Sequence, residues 1–325
     1  MNFTFLGTSA GTPTRFRNVT GLALEHGAHR GWYLIDCGEA TQHQLLRTRH
    51  SLHKLRAIFI THVHGDHTYG LPGLLASASM AGRTEPLPII APGPILAFIE
   101  TAIHAADSLL SYELRFFEVG SPQFGWEDEE VSVTTAPLSH RVPCHAYIFT
   151  EKNLERTLLT DKLAADGVAA GPAWGQLQQG HDVNLENGRR LRNQDYVAVT
   201  RKPRRVVIGG DNDQPELLRD ACEEAHVLVH EATYTQEVSD RVGPAPQHSS
   251  AAQVARFAES ATLPNLVLTH FSSRYQFSHP SAPLVDEIAE EARRFYRGNL
   301  YLAQDFAEYQ LGKDFILTQV ETPAA

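Results

Sequence analysis

The segment Thr61-His62-Val63-His64-Gly65-Asp66-His67 directly follows the apolar run Ala57–Ile60, and it constrains this chain more than any other. Alternate residues of an extended segment point to the same side, so His62 and His64 can share one metal ion. A turn at Gly65 then redirects Asp66 and His67 toward a neighbouring site. The plain alternative is a polar strand-end turn with solvated imidazoles.

The same arrangement, an apolar run followed by a single ligand-type side chain, recurs along the chain. Val133–Leu138 leads to His140, Val206–Gly210 to Asp211, and Leu266–Thr269 to His270. Taken alone, His140 or His270 reads as a satisfied buried histidine and Asp211 as a helix cap. Strand ends along one edge of a packed sheet converge, however, and then the residues divide between two ions. His62, His64 and His140 serve one, Asp66, His67 and His270 the other, and Asp211 bridges them. Such a site keeps room for a shared water and is catalytic rather than structural. Its nitrogen-rich ligation favours zinc, with two Zn2+ per subunit, while the carboxylates also suit Mn2+ or Fe2+.

Short β-branched or aromatic runs from Asn2–Leu6 to Leu300–Ala303 predict strands. Helical spacing appears over Glu39–Arg49, Leu71–Met80, Pro94–Ala106, Gln214–Glu224, Ser249–Ser260 and Ala282–Arg297. Interspersed helices and strands imply an α/β protein with sheets covered by helices. From Glu151 to Asp195 the pattern breaks into a helix-like Leu154–Asp166, a Gly/Ala/Pro stretch Gly167–Gly175 and a polar passage without a central strand. We read 151–195 as an arm inserted into a single domain spanning 1–325, with an ordinary long loop as the alternative.

Composition narrows the function classes. With 28 Lys+Arg against 38 Asp+Glu the formal charge is −10, which argues against binding nucleic acid through general positive charge. No apolar run is long enough to span a membrane, and the opening residues do not read as a signal peptide. The three cysteines, Cys37, Cys144 and Cys222, form no CxxC pair, so no disulfide framework is expected and a reducing cytoplasm is the default location.

Four further segments lie near predicted strand ends or turns. His230 and Glu231 follow the buried run Val227–Val229 and suit either ligand orientation or a structural hydrogen-bonding role. His248 precedes a serine-capped helix and is placed to give up a proton. The basic run Arg201-Lys202-Pro203-Arg204-Arg205 suits phosphates or a solvated strand edge, and Gly7 to Gly11 reads as a tight turn able to approach a phosphate.

Together these residues resemble the metallo-β-lactamase superfamily and, within it, the tRNA 3′-processing endonucleases called ribonuclease Z. The resemblance rests on Phe5–Pro13, Leu34–Glu39, His62–His67, His230-Glu231-Ala232-Thr233 and Leu268–Tyr275, and covers almost the whole chain. It implies an αβ/βα sandwich, a homodimer, and a precursor tRNA gripped by an arm whose Gly-Pro tip corresponds to Gly171-Pro172-Ala173-Trp174-Gly175. It also implies Asp66 as ligand and orienting base, and His248, polarised by Glu231, as the acid that protonates the departing 3′ oxygen. The chain departs from the pattern at Gln176, Gln178 and Gln179, where basic residues are common, and at Gly210-Asp211-Asn212, where Gly-Asp-Thr is usual. The rivals are a hydrolase of small phosphodiesters, sulfate esters or lactones, and a catalytically silent RNA-binding protein on the same fold.

Overall fold

In the computed structural model, residues 1–27, 31–121, 123–276 and 283–320 are described. They form two compact units, Met1–Thr150 with Arg204–Ala325, and Glu151–Pro203.

The larger unit holds two large sheets and a two-stranded pair, Ser9–Ala10 with Phe271–Ser272. The eight-stranded sheet runs Leu317–Val320, Glu308–Leu311, Asn2–Gly7, Gly21–Glu25, Trp32–Cys37, Leu55–Phe59, Leu87–Ala91, Leu114–Glu118. The seven-stranded sheet runs Asn299–Leu302, Asn265–Thr269, Val227–Glu231, Arg205–Ile208, Cys144–Glu151, Val131–Leu138, Gly125–Glu127. Strand periodicity explains the layering. Val206 and Ile208 join Phe5, Tyr33 and Phe59 in a core fed by both sheets, whereas Val207 faces the opposite way, onto the helix Ala251–Ser260. On the other sheet, Leu34, Ile58 and Ile89 pack outward against Leu71–Met80 and Pro94–Ala105. The order helix, sheet, sheet, helix is the αβ/βα sandwich expected from the sequence.

Every predicted strand is present. Three predicted helices are clearly shorter than expected. Glu39–Arg49 reduces to Thr41–Leu45, and Gln214–Glu224 becomes a 3-10 turn Pro215–Leu218 followed by Arg219–Cys222. Ala282, the first residue of the last predicted helix, lies outside the described residues, and that helix runs Asp286–Arg293. Ser250 caps the helix before it through a reciprocal bond with Gln253, as a serine cap at this place was expected to do.

The smaller unit differs more. Arg156–Leu158, inside the expected helix, is a strand paired with Val197–Val199, and this pairing carries the unit past Asp195 to Pro203. The polar passage folds into a second strand pair, Val183–Asn184 with Arg190–Leu191, and Gly171 stands just before the helix Pro172–Gln178. Leu163, Val168, Leu177, Val183, Leu191 and Tyr196 form its own small core. The basic run is largely structural. Arg201 makes a two-pronged ion pair with Glu151 at 2.6 and 2.8 Å, and Arg204 is buried and donates to the Leu311 carbonyl at 3.0 Å.

Candidate metal centre

Three parallel neighbours, Arg205–Ile208, Val227–Glu231 and Asn265–Thr269, end side by side, so Asp211, Glu231 and His270 emerge along one edge. The strand Leu55–Phe59 of the other sheet brings His62 and His64 to the same edge. Beyond it the chain enters a short helix, Gly65–Thr68, that turns Asp66 and His67 inward.

Two groups of donors result. One atom each from His62, His64, His140 and Asp211 lies within 4.8 Å of the others, and likewise for Asp66, His67 and His270. Asp211 lies between them, with Oδ2 3.6 Å from His62 Nε2 and 3.7 Å from His140 Nε2, and Oδ1 3.4 Å from His67 Nε2 and 3.3 Å from His270 Nε2. All seven residues singled out as ligands in the sequence thus come together. His230 stays apart, fully buried and held by Asn212 and its own chain.

The hydrogen bonds around the cluster show what it is suited to hold. His62 Nδ1 meets the Thr61 hydroxyl at 3.0 Å, and that hydroxyl donates onward to Asp36. His140 Nδ1 donates to the Gln247 carbonyl at 3.0 Å, and His67 Nδ1 to Asp36 Oδ2 at 2.7 Å. His270 Nδ1 meets the Thr233 hydroxyl at 3.0 Å, which itself donates to Glu231. Each outward nitrogen carries the proton, so each inward Nε2 presents a lone pair. Lone pairs then face lone pairs: His62 Nε2 is 3.0 Å from His64 Nδ1, and His67 Nε2 is 3.3 Å from His270 Nε2. Imidazole nitrogens and carboxylate oxygens converging in this way fit divalent cations.

Charge gives the same answer. Burial opposes the ionised form of Asp211, yet the imidazoles of His270, His67 and His62 hold it well below the usual carboxylate range. Burial likewise opposes a charge on His67, but Asp211, Asp36 and Asp66 outweigh it and push that imidazole well above its ordinary value, so the carboxylates draw a proton to the Nε2 position that a cation would otherwise take. A buried site with this many carboxylates calls for positive charge.

Glu231 links the cluster to His248. Its Oε1 accepts from His248 Nδ1 at 2.9 Å and from the Asn212 amide at 2.8 Å. Burial lowers the proton affinity of His248, but the adjacent Glu231 carboxylate and then Asp211 outweigh it, raising the imidazole to about 9. The ring stands 5.2 Å from that of His140 and 5.4 Å from that of His270.

Sequence reasoning named Asn212 only as a departure from the family pattern and Gly11 only as part of a tight turn. Asn212, fully buried where the family pattern has threonine, accepts the Ser139 amide at 3.1 Å through its side chain and meets His230 Nε2 through its amide nitrogen. It locks the turn that carries Asp211. Gly11, at φ 68, uses its amide to hold Asp66 Oδ2 at 2.7 Å, so that amide is committed to a carboxylate. His270 and Asp36 also hold positive φ, at 58 and 57, backbone strain concentrated at the cluster. In the smaller unit, Gly171, Pro172 and Gly175 are exposed, whereas Trp174 is half-buried and donates to the Val168 carbonyl at 3.3 Å.

The sequence pattern of the family described as Anti-Pycsar protein Apyc1 matches residues 1–98, which include the His62–His67 motif. YhfI of Bacillus subtilis, a metallo-β-lactamase fold protein, superposes with a TM-score of 0.64 at 19% identity, covering 94% of this chain and 98% of its own. Fold and donor set together define a metal-dependent hydrolase of the metallo-β-lactamase fold. Ribonuclease Z of Marinobacter nauticus is 61% identical over 321 residues, 99% of each chain. The short form of human tRNase Z superposes with a TM-score of 0.66 at 26% identity, covering 96% of this chain and all of its own (100%). The chain belongs to the ribonuclease Z family and is a metal-dependent endoribonuclease.

Proposed function

We propose that the chain cuts precursor tRNA after the body of the molecule, releasing the 3′ trailer with a 5′-phosphate and leaving a 3′-hydroxyl. The observation that carries this reading is His248 held at 2.9 Å by Glu231 beside a cluster of converging imidazole and carboxylate donors, in a chain 61% identical to a ribonuclease Z. His62, His64 and His140 would hold one zinc ion, Asp66, His67 and His270 a second, and Asp211 both. When bound, the ions would supply a water nucleophile at neutral pH and neutralise charge on the phosphoryl oxygens.

The protein's own groups do the rest. Asp66, anchored by the Gly11 amide, orients the attacking water and takes its proton. Asp36 and Thr61 fix the rings of His67 and His62, so their lone pairs stay aimed. His248 gives its Nε2 proton to the departing 3′ oxygen, while Glu231 holds Nδ1 and sustains the charged form.

The smaller unit is proposed to grip tRNA outside the cut, with Gly171, Pro172, Trp174 and Gly175 on its contact surface. Trp174 acts there chiefly by shaping the segment. The enzyme is proposed to work as a cytoplasmic homodimer, which light scattering in solution tests. Among the described residues no helix is long and apolar enough to cross a membrane.

The test is incubation of purified protein with a precursor tRNA carrying a 3′ trailer, with both product ends mapped and zinc counted. A single cut after the discriminator nucleotide, lost together with zinc in His64→Ala, is expected. Hydrolysis of small phosphodiesters with precursor tRNA left intact would replace this reading with that of a small-molecule hydrolase.

A further inference from the structure

The cavity over the cluster, about 330 Å³, is walled by four of the donors, by His248 and by two side chains with no part in the chemistry above, Tyr69 and Arg141. Tyr69 ends the helix that carries Asp66 and His67, its amide bonded to the Gly65 carbonyl at 2.9 Å. A Cβ on Gly65 would lie 2.2 Å from the nearest Tyr69 ring carbon, so the ring lies against the bare Cα of residue 65. The Phe98 ring stands 6.3 Å away at 43°. The tyrosine is thus held in place, yet it remains 65% exposed, and its hydroxyl has no hydrogen-bond partner among the described residues. A large aromatic pinned in one pose and bare at a catalytic cavity offers a flat face to another flat group.

Arg141, directly after His140, is exposed and makes no ion pair among the described residues. A guanidinium free of carboxylates on a cavity wall favours phosphate. The cavity is at the small end of the range for ligand sites, a size that suits one nucleotide and not a duplex.

We propose that Tyr69 stacks the nucleobase flanking the scissile phosphate while Arg141 takes the phosphate next to it, making the pair the local specificity determinants of the cut. This deepens, and rests on, the nuclease reading above. It requires the flanking nucleotide to be unpaired, because a base must leave its helix to lie on a side chain.

The test compares wild type, Tyr69→Ala and Tyr69→Phe on two pairs of substrates. The first pair is thymidine 5′-(p-nitrophenyl phosphate) and methyl p-nitrophenyl phosphate. Wild type and Tyr69→Phe should prefer the nucleoside ester by about tenfold in kcat/KM, and Tyr69→Ala should lose that preference. The second pair is a precursor tRNA and its versions abasic on the 5′ or the 3′ side of the cut. Tyr69→Ala should raise KM about tenfold on the intact precursor and add nothing on one abasic version, which identifies the stacked base. An unchanged nucleoside preference in Tyr69→Ala, or an equal loss in Tyr69→Phe, overturns the proposal. Wild type that spares precursor tRNA but prefers the nucleoside ester would overturn the tRNA reading alone.

Discussion

The assignment of His248 as proton donor can be tested through its partner. In Glu231→Gln one side-chain oxygen remains to accept from His248 and from the Asn212 amide, so the geometry at that oxygen is preserved and the negative charge is lost. The other oxygen becomes an NH2 that donates to the Thr233 hydroxyl, where the carboxylate accepted from it. Burial, the largest influence on His248, depresses its proton affinity, and Glu231 is the first influence that opposes it. Without that charge the imidazole falls from about 9 to its ordinary value or below. At pH 8 the protonated fraction then drops from roughly nine-tenths to roughly 3%, a loss of about 30-fold. Near pH 6 the loss shrinks to less than about twofold, because both proteins are then mostly protonated. A cation in the cluster lowers His248 in both proteins, so the difference between them is the quantity to read.

The assay is the pH profile of kcat on precursor tRNA, whose alkaline limb should move down by about two to three pH units in Glu231→Gln. A second substrate separates proton donation from general damage. A p-nitrophenolate leaving group departs without a proton, so His248→Ala should cost on the order of 10²- to 10⁴-fold on the ribose ester and almost nothing on a p-nitrophenyl phosphodiester. Equal losses on both substrates, or an unmoved alkaline limb, would refute the reasoning.

Three other outcomes are expected. Asp36→Asn keeps the side chain's shape but removes the charge that His67 Nδ1 and Thr61 donate to, so zinc affinity measured by chelator competition should fall about 10- to 100-fold. Unaltered affinity would remove Asp36 from the site. Burial first, and Arg49 second, lower His50 to about 4, so its neutral form belongs to the folded state. Its contribution is present above the ordinary value near pH 6.5 and is lost as pH falls through 4, by up to about 3 kcal/mol. His50→Gln should flatten the Tm profile across that window, and an unchanged acid slope would show that other groups set it. Leu177→Ala opens the core of the smaller unit at a cost of about 2 to 5 kcal/mol. The unit should become protease-sensitive and the KM for precursor tRNA should rise, with small-ester hydrolysis intact. Normal tRNA kinetics with that unit digested would separate it from substrate binding.

Strand positions were legible because alternation is local, and His62 to His67 because their ligand spacing fits within one strand end and one turn. Glu308–Leu311 and Leu317–Val320 escaped notice because they are short and partly polar, and the second lies at the sheet edge. Arg156–Leu158 was misread because Leu154, Leu158 and Leu159 fit a helical stripe as well as a strand, and only pairing with Val197–Val199 decides between them. Nothing in local pattern marks Tyr69 or Arg141. Their significance is exposure at a cavity, which exists only after both sheets have packed.

By itself, then, the sequence determined most of the strands and helices of the larger unit, the types of donor available and the short-range order of half of them. Tertiary structure decided which distant groups meet: His140, Asp211 and His270 with the His62–His67 turn, and Glu231 with His248. The physical reason is range. Side-chain direction along a strand depends on neighbours one or two residues away, whereas a metal site or a shifted imidazole depends on ångström distances between segments far apart in the chain. Those distances are set only by the register of parallel strands and the packing of one sheet on the other.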